Sequence, residues 1–66
     1  MREHKSIQTY PYIAEILHID SNKIHIFQFY AQDLEYALYK AVAEAREVGI
    51  HGQIRINKCY PARRVQ

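Results

Sequence analysis

The feature that most constrains this chain is a pair of apolar runs beside a single helical segment. The runs extend from Tyr10 to Ile19 and from Lys23 to Tyr30, and Asp20-Ser21-Asn22 separates them. Asp, Ser and Asn favour turns, so the segment predicts a β-hairpin. Both faces of this hairpin carry large apolar side chains, but one helix covers only one face of a small sheet. We therefore expect an apolar sheet face that needs a partner.

The length of the chain limits how much core it can build. Its 66 residues make one domain at most. Domains below roughly 70–80 residues usually need a disulfide, a metal, a second chain or very good packing. Cys59 is the only cysteine, so an internal disulfide is excluded. No pair of residues has the spacing of a zinc site. Either the packing is unusually efficient or a second chain supplies part of the core.

Helix signals follow the hairpin directly. Asp33 is a good N-cap, and Gly49 is placed to end the helix in the left-handed conformation. Between them, apolar residues recur at helical spacing: Leu34, Ala37, Leu38, Ala41, Val42, Ala45 and Val48. A last strand is predicted from Gln53 to Tyr60.

The predicted fold is α+β, a three-stranded antiparallel sheet with one helix packed on one face, in the order β-β-α-β. We expect a flexible N-terminal segment (1–9), a single domain (10–60) and a basic tail (61–66). A two- or four-residue hairpin loop centred on Ser21-Asn22 places His18 opposite His25 and Ile16 opposite Phe27. In the last strand, strict alternation places Ile54 and Ile56 under the helix, and Arg55, Asn57 and Cys59 on the other face.

No residue pattern in the chain is typical of catalysis. A facing pair of His18 and His25 could bind a metal with a third ligand, but no cysteine or acid is fixed nearby, so a structural pair is the simpler interpretation. Cys59 has no recognisable base, and the only glycines, Gly49 and Gly52, do not form a phosphate-binding loop. We predict no enzyme activity, no cofactor and no metal site.

Other features favour an interaction surface. The chain has six tyrosines and no tryptophan, and tyrosine offers large, stiff, amphipathic contact area. The formal net charge of +2 permits contact with nucleic acid without requiring it. The residues predicted to bind a partner are the apolar Leu17, Ile19, Ile24 and Ile26, the tyrosines Tyr30, Tyr36 and Tyr39, and the basic Arg55, Lys58, Arg63 and Arg64.

The same sequence gives expectations about location. No apolar run approaches the ~20 residues of a membrane span. The start, Met1-Arg2-Glu3-His4-Lys5, is not followed by the hydrophobic stretch of a signal peptide. A lone thiol fits a reducing compartment. We expect a cytoplasmic protein with no membrane partner.

Several short motifs carry a family resemblance: Tyr12-Ile13 with Glu15, Leu34 with Ala37, and His51-Gly52 with Arg55-Ile56. In these motifs and in element order the chain resembles a strand-strand-helix-strand family of phage anti-CRISPR inhibitors. The resemblance implies a small non-enzymatic protein that covers a binding surface of a CRISPR surveillance complex in the host cytoplasm. The chain departs from that family in having a basic end instead of an extended, aromatic-rich C-terminal segment, so the family's binding residues are not transferred.

Three functional hypotheses follow. The first is a non-enzymatic protein-binding inhibitor, encoded by a phage or mobile element, that occludes a nucleic-acid-handling complex such as a CRISPR surveillance complex. The alternative is a small basic homodimeric nucleic-acid-binding protein. The third is a structural subunit of a larger assembly. The apolar sheet face predicts either a homodimer or a stable complex with a target.

Overall fold

The computed structural model describes residues 8–62 as three strands and one helix. The elements are β1 (Tyr10–His18), β2 (Lys23–Ala31), α1 (Leu34–Glu47) and β3 (Ile54–Pro61). The strands form an antiparallel sheet in the order β2-β1-β3. The helix packs on one face of this sheet, so the predicted α+β fold is confirmed. Within residues 8–62, α1 falls short of the length and apolar character that a membrane-spanning helix requires.

The hairpin register differs from the predicted one by two residues. His18 faces Lys23 and Ile16 faces His25, so the expected pairing of His18 with His25 is wrong. The loop comprises residues 19–22 and closes when the Asn22 N–H donates to the carbonyl of His18 (2.8 Å), with Asn22 at a positive φ of 59°. Asparagine tolerates this conformation better than other residues with a side chain. Because the shift is even, every side chain of β1 and β2 keeps its predicted face.

Both ends of α1 are fixed by local hydrogen bonds. The Asp33 carboxylate accepts from the Tyr36 N–H (2.8 Å), as the predicted N-cap requires. At the other end, the Gly49 N–H donates to the Arg46 carbonyl and the Ile50 N–H to the Ala45 carbonyl, both at 3.0 Å. This is the Schellman arrangement, and Gly49 adopts the positive φ of 90° that it needs.

The helix meets the sheet through small side chains. Ala37, Ala41 and Ala45 are fully buried. The larger members of the apolar helical pattern are exposed: Leu34, Leu38, Val42 and Val48. Five of the nine buried residues are alanines, so the helix lies close to the sheet and the core holds little side-chain volume. The buried set is Tyr12, Ala14, Ile16, Phe29, Ala31, Ala37, Ala41, Ala45 and Ile50, with Phe27, Ile54, Ile56 and Cys59 packed against it.

A β-bulge in β3 changes the faces of its last residues. Ile56 faces Ile16, but Lys58 faces Glu15, so Asn57 is an extra residue between the two pairs. Beyond the bulge, Cys59 faces Ala14 on the helix side and packs against the core. The expectation that Cys59 lies on the other face is therefore wrong, because strict alternation along β3 does not hold.

Candidate interaction surface

The sheet face turned away from α1, called the open face below, is made of rows of side chains that cross all three strands. One row is Ile24, Leu17 and Arg55, and the next is Ile26, Glu15 and Lys58. A third row is Gln28, Ile13 and Tyr60, and Tyr30 faces Pro11 at the end. These rows place apolar residues mainly on β2 and basic residues on β3.

The β2 side of the open face forms an apolar strip of Ile24, Ile26 and Tyr30. These side chains are 54%, 60% and 61% exposed. Leu17 lies beside them on β1 and is half-buried, and Ile19 in the hairpin loop is exposed. Gln28 lies between Ile26 and Tyr30 on this face, so the contiguous apolar part is Ile24, Ile26 and the adjoining Leu17. Exposed apolar groups of this kind are typical of binding surfaces.

The β3 side of the open face forms a basic strip of Arg55 and Lys58, followed by Tyr60. All three are exposed. The bulge turns Lys58 and Tyr60 to this face, where Lys58 lies opposite the acidic Glu15. The Glu15 carboxylate accepts a hydrogen bond from Asn57 Nδ2 (3.3 Å). Glu15 therefore stands between the apolar and basic strips with a neutral donor beside it.

The end of the sheet away from the hairpin loop carries a shallow groove rich in tyrosine. Tyr10, Tyr12, Tyr30 and Tyr60 line it, together with Pro11, Ile13, Gln28, Pro61 and Ala62. The Ala62 N–H donates to the Pro11 carbonyl (2.9 Å) and holds the strand ends together. Every residue along this groove is uncharged. Tyr30 and Tyr60 extend the open face with stiff amphipathic rings that suit an interface, whereas Tyr10 and the buried Tyr12 lie on the helix side of β1.

The predicted partner-binding residues do not form one surface. Leu17, Ile19, Ile24, Ile26, Tyr30, Arg55 and Lys58 lie on or beside the open face. Tyr36 and Tyr39 are exposed on α1, on the other side of the sheet. Arg63 and Arg64 lie outside the described residues. Tyr60 lies on the open face but is not in the predicted set. Strict alternation assigns both Lys58 and Tyr60 to the helix side, and a bulge leaves no clear mark in a sequence.

His18, one of the two histidines considered as metal ligands, has a structural role where the hairpin loop meets the loop after α1. His18 Nε2 lies 2.7 Å from the His51 carbonyl oxygen, and Nδ1 lies 2.8 Å from Ser21 Oγ. The simplest assignment is that Nε2–H donates to the carbonyl and Nδ1 accepts from the hydroxyl. The Ile19 N–H also donates to the Gln53 carbonyl (3.0 Å). These bonds hold the hairpin loop against the loop that follows α1.

Arg46 organises the other side of the same junction. Its Nη1 donates to the carbonyls of Ile50 and Gly52, both at 3.0 Å. Gly52 has a φ of 90°, and a Cβ there would lie 2.6 Å from Asp20 Oδ2. The backbone conformation therefore favours glycine, whereas the end of the exposed Asp20 side chain can move to make room for a Cβ.

Within the described range, the remaining chemistry is limited. No group of three His, Cys, Asp or Glu side chains among residues 8–62 is arranged to hold a metal ion. Burial raises the pKa of the Cys59 thiol above its ordinary value. A higher pKa lowers the fraction of thiolate, which is the nucleophilic form. Among the described residues, Cys59 and the histidines and acids support a reactive site less than the open face supports a binding surface.

No protein-family model, curated protein or solved structure matches the chain.

Proposed function

We propose that this protein is a non-enzymatic binding domain whose open face covers a surface of a protein partner. The observation that carries the proposal is the apolar strip of Ile24, Ile26 and Tyr30. Each of these side chains is more than half exposed, although all three lie on a regular strand. Burial of apolar area contributes roughly 25 cal/mol per Å². A partner that removes this strip from water therefore gains a substantial driving force.

The two strips define the chemistry of the partner. The apolar strip calls for an apolar patch, and Arg55 and Lys58 call for acidic groups beside it. Long-range attraction between the basic strip and acidic groups raises the association rate, whereas the apolar strip mainly lowers the dissociation rate. A partner of this composition would be blocked at the covered surface without any chemical step.

The resemblance to anti-CRISPR inhibitors supports a search for this partner in CRISPR surveillance complexes, with the protein encoded by a phage or mobile element. Occlusion of such a complex remains a proposal about the target, and it is separable from the proposal about the surface. Inhibition of target DNA binding by a purified surveillance complex is the direct measurement. If the protein inhibits no such complex but still binds a partner through its open face, the proposed target is rejected and the proposed surface is kept.

The experiment on the surface compares the unaltered protein with three variants. Each is first used as bait to capture partners in the natural host, and its affinity for the purified partner is then measured by calorimetry. Ile26→Asp places a charge in the apolar strip, and Tyr39→Asp places the same charge on the outer side of α1. We expect Ile26→Asp to abolish binding and Tyr39→Asp to leave it unchanged. Arg55→Glu should weaken binding and reduce its dependence on salt.

The opposite pattern, with binding lost in Tyr39→Asp and kept in Ile26→Asp, would assign the interface to the helix and refute the use of the open face. Circular dichroism of each variant checks that the fold is retained. Ile26 and Tyr39 are both largely exposed, so neither substitution to Asp removes a core contact.

A second function has one specific observation in its favour. Arg55, Lys58 and Tyr60 follow one another along the open side of β3. Basic side chains that track a phosphate backbone, with an aromatic ring for base stacking, are typical of single-stranded nucleic-acid binding. If this function holds, affinity for an oligonucleotide falls steeply with salt, and Lys58→Gln makes the negative slope of log K against log salt shallower by about 0.7. Binding to a protein partner, together with no measurable binding of an oligonucleotide at physiological salt, would reject the nucleic-acid function.

A further inference from the structure

The two edges of the sheet differ in how they are protected. β2 and β3 each have β1 on one side and no strand of residues 8–62 on the other. Edge strands expose unpaired N–H and C=O groups, and proteins normally protect them with charges, proline or bulges. The edge that lacks these features is the one that can accept another strand.

The β3 edge has several of these protective features. It carries the bulge at Asn57, the charged Arg55 and Lys58, and Pro61 at its end. Proline cannot donate to a neighbouring strand, and a bulge twists the edge away from one. These features disfavour addition of a strand at β3.

The β2 edge has none of them between Ile24 and Tyr30. The segment Ile-His-Ile-Phe-Gln-Phe-Tyr is regular and has no proline, glycine, acidic residue or lysine. Such uncharged segments of β-branched and aromatic residues pair readily with other strands. β2 is therefore the edge that is open to a further strand.

We propose that β2 pairs antiparallel with β2 of a second copy, about a two-fold axis at Phe27, to form one six-stranded sheet. In this register Ile24 faces Tyr30 of the other copy, His25 faces Phe29, and Ile26 faces Gln28. Each pair lies on one face of the sheet, so the helices of both copies share one side and the open faces share the other.

The second copy is favoured as the occupant because the strand is complementary to itself. Apolar or aromatic residues flank Phe27 on both sides, and no two like charges face each other in this register. The strand begins with the basic Lys23, and the acidic Asp33 follows its end. Antiparallel pairing brings the basic end of one strand towards the acidic end of the other.

Pairing of the edges also brings the open face to a size that a stable complex needs. Two strands of nine residues and one of eight cover about 400 Å² in projection, from strand spacing and residue rise. A standard interface buries about 800 Å² on each partner. Two copies joined at β2 give a continuous face of roughly that size. The pairing does not depend on the proposed function, since the edge argument uses only β2 and β3.

A cysteine scan tests the pairing and its register. In a Cys59→Ser background, single cysteines replace each residue from Ile24 to Tyr30, and disulfide-linked dimers are measured after mild oxidation. Directly opposed residues of antiparallel strands have Cα atoms ~4.5–5.5 Å apart, which suits a disulfide. We expect dimer formation to peak at Phe27→Cys and to fall on both sides, because His25→Cys lies about 13 Å along the strand from its equivalent.

A dimer packed through the open faces gives a different result, with crosslinks at Ile24, Ile26, Gln28 and Tyr30 and none at the positions between them. That pattern would refute edge pairing. So would a mass of 7.8 kDa, that of one chain, at all concentrations in sedimentation equilibrium.

A pair of lysine substitutions gives a second test that does not touch the core. Gln28→Lys places a lysine at the β2 edge, and Leu17→Lys places one on the same face of the central strand. Edge pairing predicts about tenfold weaker dimerisation for Gln28→Lys, because lysines then approach each other across the axis. Dimerisation of Leu17→Lys should be unchanged. Equal weakening by both substitutions would overturn the proposal.

Discussion

The substitution Ile16→Ala gives the most direct test of how this small fold is stabilised. Ile16 lies in the middle of the central strand, between His25 on β2 and Ile56 on β3. It is the only large side chain, among those of the described residues, that is completely removed from solvent. Its loss should therefore affect the stability of the whole domain.

The expected size of the effect follows from the residues around it. Truncation of a buried isoleucine to alanine destabilises proteins by about 2–5 kcal/mol, depending on how far the site collapses. Here Ala14, Ala41 and Ala45 are buried in the same core, and alanine has no rotamer with which to fill a cavity. We therefore expect about 3–4 kcal/mol. In a domain of this size that lowers Tm by about 15–25 °C, and it approaches the whole stability of many small domains.

Urea and thermal unfolding followed by circular dichroism measure this loss. Ile26→Ala is the matched control, because it makes the same chemical change one row away, on the open face, where the side chain is 60% exposed. At a concentration where the protein is monomeric, we expect it to change stability by less than about 0.5 kcal/mol. A loss below about 1 kcal/mol for Ile16→Ala, or equal losses for both variants, would refute the described core.

Three further predictions concern single positions. Asp33→Ala removes the N-cap of α1 and should lower stability by about 1 kcal/mol in urea unfolding. Gly49→Ala and Gly52→Ala both place alanine at a φ of 90°, and each should lower stability by about 1–2 kcal/mol. The Cβ at residue 52 meets only the end of the exposed Asp20 side chain, which can turn away, so adding Asp20→Ala should not restore the stability of Gly52→Ala. For Cys59, the raised pKa means that the folded state keeps its proton to higher pH than the unfolded state. Its contribution to stability is therefore complete below about pH 8.5 and is lost as pH rises towards the folded-state pKa; a Cys59→Ala variant should lack that part of the alkaline decline, and thiol labelling of the folded protein at neutral pH should be slow.

Local signals in the sequence predicted the elements well. Asp33 and Gly49 act within one turn of the chain, so their types alone indicate where α1 begins and ends. The faces of β1 and β2 also followed from alternation. The order of elements and the antiparallel sheet needed no information beyond these signals.

The register and the bulge depended on contacts between distant segments. A hairpin register two residues away preserves every face, so the hydrophobic pattern does not distinguish between the two. The observed loop brings His18 to His51 and Ile19 to Gln53, more than thirty residues along the chain. The helical pattern likewise did not show that the alanines, rather than Leu34, Leu38 and Val42, would meet the sheet.

The bulge at Asn57 has a consequence for how this protein can change over generations. Deletion of this one codon would restore strict alternation in β3 and would leave Lys58 and Tyr60 on the open face and Cys59 on the helix side, because these residues keep their partners on β1. A lineage can therefore lose the bulge by a change of length without changing the composition of the open face. Such a deletion would remove the twist that the bulge gives to the β3 edge, and with it one of the features that protect this edge from a further strand.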